Sequence, residues 1–335
     1  MKRILSVATV LLLAACGGNQ KGDEFRKGFP KADDVKVNVP SKGQALSGEA
    51  QSQNALLGER SSFYGFTRGI TVMCNGATAW VLGLVKAISD NPATTVTATT
   101  ATWGPHTDPL SPNTYKFTVT KNADNDYSYQ LEGKGKNEAD SAFKVILSGS
   151  HKVAVDGAGT AQENFGNGTF LIDWDKSALL PEHGTEVGTA EFTYSRLSAT
   201  ADTTIDINFH QVMDNETGKK VDATYKYDAT PAAGGSFEFQ MAKDLDNGAP
   251  LKNKIENIAV KSRWLQTGAG RSDVTASGGD LVAFGTQHAS ECWDENFNSL
   301  YLTASWFVPQ DAWGSASSCT AFPAAVYSTL SPLAP

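Results

Sequence analysis

Residues 113–133 read NTYKFTVTKNADNDYSYQLEG, and their period decides the fold class. Tyr115, Phe117 and Val119 alternate with Lys116, Thr118 and Thr120; the polar run at 121–126 interrupts; Tyr127, Tyr129 and Leu131 then resume the alternation. Successive side chains on a strand point to opposite sides, so each half has one apolar and one polar edge. An Asp/Asn-rich break between two such halves is a turn joining antiparallel partners.

The same period of two recurs down the chain. It is carried by Phe143, Val145 and Leu147; by the stretch from Thr169 to Trp174; by Ala190, Phe192 and Tyr194; and by Ile205, Ile207 and Phe209. Val221, Ala223, Tyr225 and Tyr227 continue it, followed by Phe237, Phe239 and Met241, then Ile258, Val260 and Trp264, and a last run from Ser299 to Trp306. Turn-rich links such as DNETGKK (214–220) and DATPAAGG (228–235) separate the runs. Strands in succession without interleaved helices predict an antiparallel meander and exclude a doubly wound nucleotide fold. Eight or more strands in one twisted sheet tend to curl. The expected fold is therefore mainly β with one added helix (α+β), its large antiparallel meander sheet curled into a barrel or half-barrel. A membrane barrel shares the alternation, but its strands need about 9–11 residues, against runs here of about six to eight, and no aromatic girdle repeats at the strand ends.

Before the first strand stands the longest helical signal, SSFYGFTRGITVMCNGATAWVLGLVKAISDNP at 61–92. Phe63, Phe66, Ile70, Met73, Ala77, Trp80, Leu84 and Ala87 follow spacings of three and four, which predicts one helix over about 62–90 with that stripe against the sheet's concave face. Ser61 or Ser62 can cap its start, and Asp90-Asn91-Pro92 stops it. Gly69, Gly76 and Gly83 recur every seven residues and leave a bare strip where another backbone could approach. Arg68, Asn75 and Lys86 weigh against a place in hydrocarbon.

Lys2 and Arg3 precede an apolar run at 4–13, and Leu13-Ala14-Ala15 leads into Cys16. Ten residues rise about 15 Å as a helix, half the roughly 30 Å hydrocarbon core, so the run is an export signal and not a span. Leu13, Ala14, Ala15 and Cys16 resemble the lipobox of bacterial lipoprotein signals. The resemblance implies cleavage before Cys16, a diacylglycerol on its thiol and an acylated amino group; Gly17 in place of Asp implies outer-membrane sorting. The expected organisation is a signal peptide at 1–15, a lipidated flexible tether at 16–61 spanning roughly 35 to 40 Å, and a single β-rich domain at 62–335.

With Cys16 acylated, an oxidising compartment favours one disulfide among the remaining cysteines. Cys292 with Cys319, both in turn-rich sequence, is the expected pair, contributing about 3 to 4 kcal/mol on the chain-entropy model. Cys74 is then a buried, inert thiol.

The 335 residues carry 28 basic and 36 acidic side chains, a net charge of −8. No basic patch suits nucleic acid. Nucleophile-elbow, zincin, Walker and dinucleotide motifs are absent from the sequence, and Gly268 and Gly270 in TGAGRSD suit a hairpin turn. No cofactor is expected. The strongest metal-type cluster, His288, Glu291, Asp294 and Glu295, reads foremost as an acidic surface loop; Glu182, His183 and Glu186 form a weaker one. The Asp/Asn runs at 123–126 and 244–248 lack the spacing of a calcium loop. His106, His151 and His210 read as structural.

The sheet's architecture is analogous to the half-barrel carriers of bacterial lipoprotein and lipid trafficking. Three readings follow. The first is a non-enzymatic, lipid-anchored envelope protein binding a lipid or other hydrophobic molecule in a space lined by Trp80, Tyr115, Phe117, Tyr129, Phe192, Phe209, Tyr225 and Phe237. The second is a structural protein with a filled core that displays loops to an envelope partner. The third is a metal-dependent enzyme using the 288–295 loop.

Overall fold

A computed structural model of the chain describes residues 22–31, 34–41, 59–214, 218–244, 254–305 and 312–333, excluding the side chains of Ala77 and Trp80. The 113–133 stretch forms the expected hairpin: β3 (Asn113–Ala123) turns through Asp124-Asn125, the latter at φ 59°, into β4 (Asp126–Gly135). Before it come β1 (Thr95–Val96) and β2 (Thr100–His106). After it come β5 (Lys144–Val155), β6 (Ala161–Asp173), β7 (Thr189–Arg196), β8 (Thr203–Met213), β9 (Lys220–Thr230), β10 (Gly234–Lys243) and β11 (Glu256–Leu265). The series ends with β12 (Gly270–Gly278), β13 (Gln287–Trp293), β14 (Ser299–Ala304) and β15 (Ala312–Gly314).

Among the described residues these strands make one sheet in strict chain order, each neighbouring pair antiparallel. β1 and β15 are its free ends, so the sheet is not closed into a barrel. Both edge strands are short, of two and three residues, which limits the unpaired backbone offered to another chain.

Register turns the period of two into a layer. Starting at Ala101 of β2, directly paired residues run through Val119, Tyr129, Gly149, Phe170, Phe192, Ile207, Tyr225, Phe239, Val260, Val274 and Ala289 to Ala304 of β14. Large side chains occupy the middle of this row and Ala its two ends. Phe170 and Phe192 stack at 4.2 Å between centroids, as do Tyr225 and Phe237 at 5.4 Å. On the opposite face, β8 to β10 present Asp206, Asn208, Lys226, Asp228 and Glu238. That face is polar, which a lipid-facing wall is not. The strands are longer than their sequence pattern promised, 10 to 13 residues for β3 to β6 and 10 or 11 for β8 to β11. It is therefore the polar outer face, not strand length, that argues against a membrane barrel.

The helix α1 (Ser62–Ser89) has its expected limits, with the Ser61 hydroxyl accepting from the Tyr64 amide at 3.1 Å. Its buried face is not the expected one. Tyr64, Thr67, Ile70, Thr71, Cys74, Thr78, Val81, Leu82 and Val85 are buried, whereas Phe66, Met73 and Ala87 of the predicted stripe are exposed. The helix is turned by about 100°, one residue. Hydroxyls account for the difference. Thr67 Oγ1 lies 2.8 Å from Ser262 Oγ and also meets Ser272 Oγ, and these short side chains bring α1 close over β11 and β12. Gly69, Gly76 and Gly83 have nothing within 4 Å of where a Cβ would stand, so the glycine strip faces away from the sheet.

A second departure concerns residues 22–41, expected as tether. Phe25, Phe29, Val35 and Val37 are buried in the main core cluster. Phe25 meets Tyr127, Phe29 meets Phe117 edge-on at 5.2 Å, and the Asn75 side chain both accepts from Val37 N and donates to Val37 O at 2.9 Å. Asn38 exchanges hydrogen bonds with Tyr227 Oη, and Pro40 O accepts from Tyr64 Oη. This strap runs from β2 to the start of α1 beside the helix. We therefore expect Phe25→Ala to lower unfolding stability by about 3–5 kcal/mol, the usual cost of emptying a buried aromatic site. An unfolding free energy from urea denaturation unchanged within about 0.5 kcal/mol would show that the strap is not part of the core.

Candidate functional site

The aromatic residues expected to line a ligand space are assembled by the sheet and consumed by packing. Phe117, Tyr129, Phe192, Phe209, Tyr225 and Phe237 all belong to the main core cluster, joined by Val81, Leu82 and Val85 of α1 and by the strap. Tyr115 is half-buried and its hydroxyl accepts from Asn113 Nδ2 at 2.9 Å. The Trp80 side chain lies outside the described residues. Burial pushes the hydroxyl groups of Tyr129, Tyr194 and Tyr225 upward in pKa, so they stay protonated. Cys74 is a free thiol in the same core, and burial raises its pKa too, which leaves it without thiolate reactivity.

His151 is the one imidazole inside this layer. Its Nδ1 lies 2.6 Å from Tyr194 Oη, and the pair fits because β6 carries glycine beneath it. A Cβ at Gly168 would come 2.8 Å from Tyr194 Oη, and one at Gly166 would come 2.6 Å from His151 Cε1. Burial, with the Lys31 charge adding to it, brings the imidazole down to about 4.

The four residues of the metal-type cluster part company. His288 is exposed on β13 with its ring 4.5 Å from that of Tyr327. Asp294 is spent on a turn, its Oδ1 accepting from Asn296 N at 2.8 Å and Asn298 N at 2.9 Å. Glu295 is exposed. Glu291 points the other way, fully buried, and its Oε2 accepts from Phe63 N at 2.8 Å in the first turn of α1. A helix N-terminus has amides without partners and a partial positive charge, which a carboxylate satisfies on both counts. Burial nevertheless raises the Glu291 pKa, against the hydrogen bond from Phe63. Among the described residues no three His, Cys, Asp or Glu side chains gather into a metal-holding group.

The Cys292–Cys319 disulfide is present. It pins the C-terminal segment to the outer face, where a cluster unforeseen from sequence holds it. Asp273, fully buried, accepts from Arg271 Nε at 2.8 Å, Arg263 at 3.1 Å, Ser290 Oγ at 2.6 Å and Val326 N at 2.9 Å. The two guanidinium groups donate onward to the carbonyls of Phe322, Pro323 and Ala324. Further along, Glu238 accepts from Ser328 and Asn257 from Leu333 N. Alternation of charge along β11 and β12 was the only available signal, and it reads equally as a solvated face. Beside the disulfide, Leu265, Trp293, Glu295 and Phe322 border a groove of about 390 Å³.

Two expectations follow for the buried ionisable groups. Glu291→Ala should cost about 2–3 kcal/mol and Glu291→Gln under about 1, since the amide oxygen still accepts from Phe63; equal, negligible losses in chemical denaturation would deny Glu291 its anchoring role. For His151, the unfolded chain binds more protons than the folded one between about 6.5 and about 4. The stability it contributes is therefore lost as pH falls through that window. The slope of stability against pH there should flatten in His151→Asn; parallel curves for the two proteins would refute the assignment.

No protein-family model, curated protein or solved structure matches this chain.

Proposed function

We propose that the protein is a non-catalytic, lipid-anchored protein of the cell envelope, held in the outer membrane through Cys16, with a filled core that displays its polar outer face and loops to an envelope partner. The observation that carries this reading is the occupation of the inner apolar layer by the chain itself. The aromatic set that a carrier needs as ligand wall is in contact with α1 and with Phe25, Phe29, Val35 and Val37. The Leu13-Ala14-Ala15-Cys16 signal supports the anchor.

In this reading the sheet curls over α1. The helix of 28 residues is about 42 Å long. Its start is bonded to Glu291 on β13, and Asn91, just beyond its end, accepts from Trp103 on β2 at 2.8 Å. Eleven inter-strand spacings of about 4.8 Å separate those strands along a flat sheet, about 53 Å. Bending the sheet toward the helix brings both contacts within reach, giving a half-barrel with a solid interior.

Cys16→Ser is expected to move the protein from the membrane pellet to the soluble envelope fraction. The released form, purified without detergent, should show in native mass spectrometry the mass of the polypeptide alone. A stoichiometric co-purified lipid would restore the carrier reading, and membrane retention of the variant would remove the anchor.

A further inference from the structure

The anchor and the strap together fix which side of the protein meets the membrane. If the chain were tethered by 45 residues, the domain could turn freely above the lipid. The strap instead begins at Gly22, six residues after Cys16, a distance of at most about 22 Å even fully extended. Gly22 is itself packed in place: a Cβ on it would lie 2.8 Å from Ala93 and 3.2 Å from the Trp103 indole. Ala93 follows the end of α1 by four residues, and the Asn91 carbonyl between them accepts from both Trp103 and Arg26. The anchor therefore leaves the fold at the C-terminal end of α1.

That helix carries an apolar face with no cover among the described residues. Phe66, Val72 and Met73 are 43%, 56% and 45% exposed, Phe66 at the margin where its ring also meets Phe239 at 6.5 Å, and Gly69, Gly76 and Gly83 lie open between and beyond them. From Phe66 to Gly83 the exposed positions among the described residues carry no ionisable side chain, and the half-buried Arg68 has its guanidinium 6.0 Å from the Tyr64 ring. Lys86 and Asp90, paired at 2.6 Å, mark the polar end of the stripe. A surface helix normally turns such a face inward. Here the inward face is already apolar and packed, and the outward one is apolar as well.

Resting on the proposed acylation of Cys16, we infer that the outward stripe of α1 lies on the bilayer that holds the anchor, with the helix axis along the membrane plane. Acyl chains at one end and the Phe66–Met73 surface along the helix then bind as two linked elements, each marginal alone and firm together. The glycine positions leave shallow space for lipid chains between the larger side chains. The competing apolar surface is the β12–β13 link, where Val282 and Phe284 are each 74% exposed.

The test uses the full chain purified from envelopes and reconstituted into phosphatidylethanolamine/phosphatidylglycerol vesicles containing a nitroxide lipid. Cys74 is buried and Cys292 and Cys319 are bonded, so a fluorophore can be placed on Ala79→Cys or Val72→Cys on the stripe, with Lys226→Cys and Val282→Cys elsewhere. Intact mass is read before vesicles are added. An acylated chain with strong quenching at Ala79 and Val72, and none at Lys226 or Val282, is the expected result. An acylated chain quenched no more at Ala79 and Val72 than at Lys226, or quenched at Val282 instead, overturns the docking face and leaves the anchor intact. An unacylated mass removes the anchor reading and this inference with it.

Discussion

A sheet with one apolar face cannot stand in water until that face is covered. Here the uncovered layer would extend over thirteen strands, from Ala101 to Ala304, with aromatic side chains at its centre. At roughly 25 cal/mol for each Å² of apolar surface removed from water, covering it is the largest single favourable contribution the fold makes. Among the described residues the meander supplies no second sheet. The cover has to come from the N-terminal part of the chain, and it does so in two pieces, α1 and the strap. The other features follow from that need: Ser262 and Ser272 are short so that α1 can approach, Glu291 closes its first turn, and glycines beneath Tyr194 and His151 keep the layer level.

The outer face obeys the opposite rule. Charged and amide side chains keep it soluble, and buried charge occurs where Arg263, Asp273 and Arg271 hold the C-terminal segment. Breaking such a set by removing one partner strands the others without water, which is strongly destabilising. The disulfide closes the same segment onto β13. Phe25, Phe29, Val35 and Val37 are thus packed on the inner face of the sheet, and residues 322–333 are held on its outer face.

Much of this was legible in the residues. Alternation in β7 to β10 is clean because those strands pair large apolar residues inward with charged ones outward, and the limits of α1 are set by Ser61 and Pro92 in the local chain. The disulfide is legible in the cysteine number together with the oxidising compartment that the export signal leads one to expect. The face of α1 was not legible, because both of its sides are apolar and the choice between them is made by hydroxyl contacts with strands two hundred residues away. The packing of the strap is not legible because its four buried apolar side chains, Phe25, Phe29, Val35 and Val37, are diluted among Lys, Asp and Gly. β2 and β13 carry a weaker signal: β2 turns only Ala101 and Trp103 inward before its bulge, and the inward row of β13, Ala289, Glu291 and Trp293, has a carboxylate at its centre that reads as an acidic loop. Glu291 has the composition of a metal ligand and the position of a helix cap, and only the fold distinguishes the two.

If the chain covers its own apolar layer, amide hydrogen exchange of the intact protein, followed residue by residue, will find the amides of Val37 and Asn38, bonded to Asn75 and Tyr227, protected to the same extent as those of β8 and β9. Exchange of residues 22–41 at the rate of an unstructured peptide, while β8 and β9 remain protected, would contradict it.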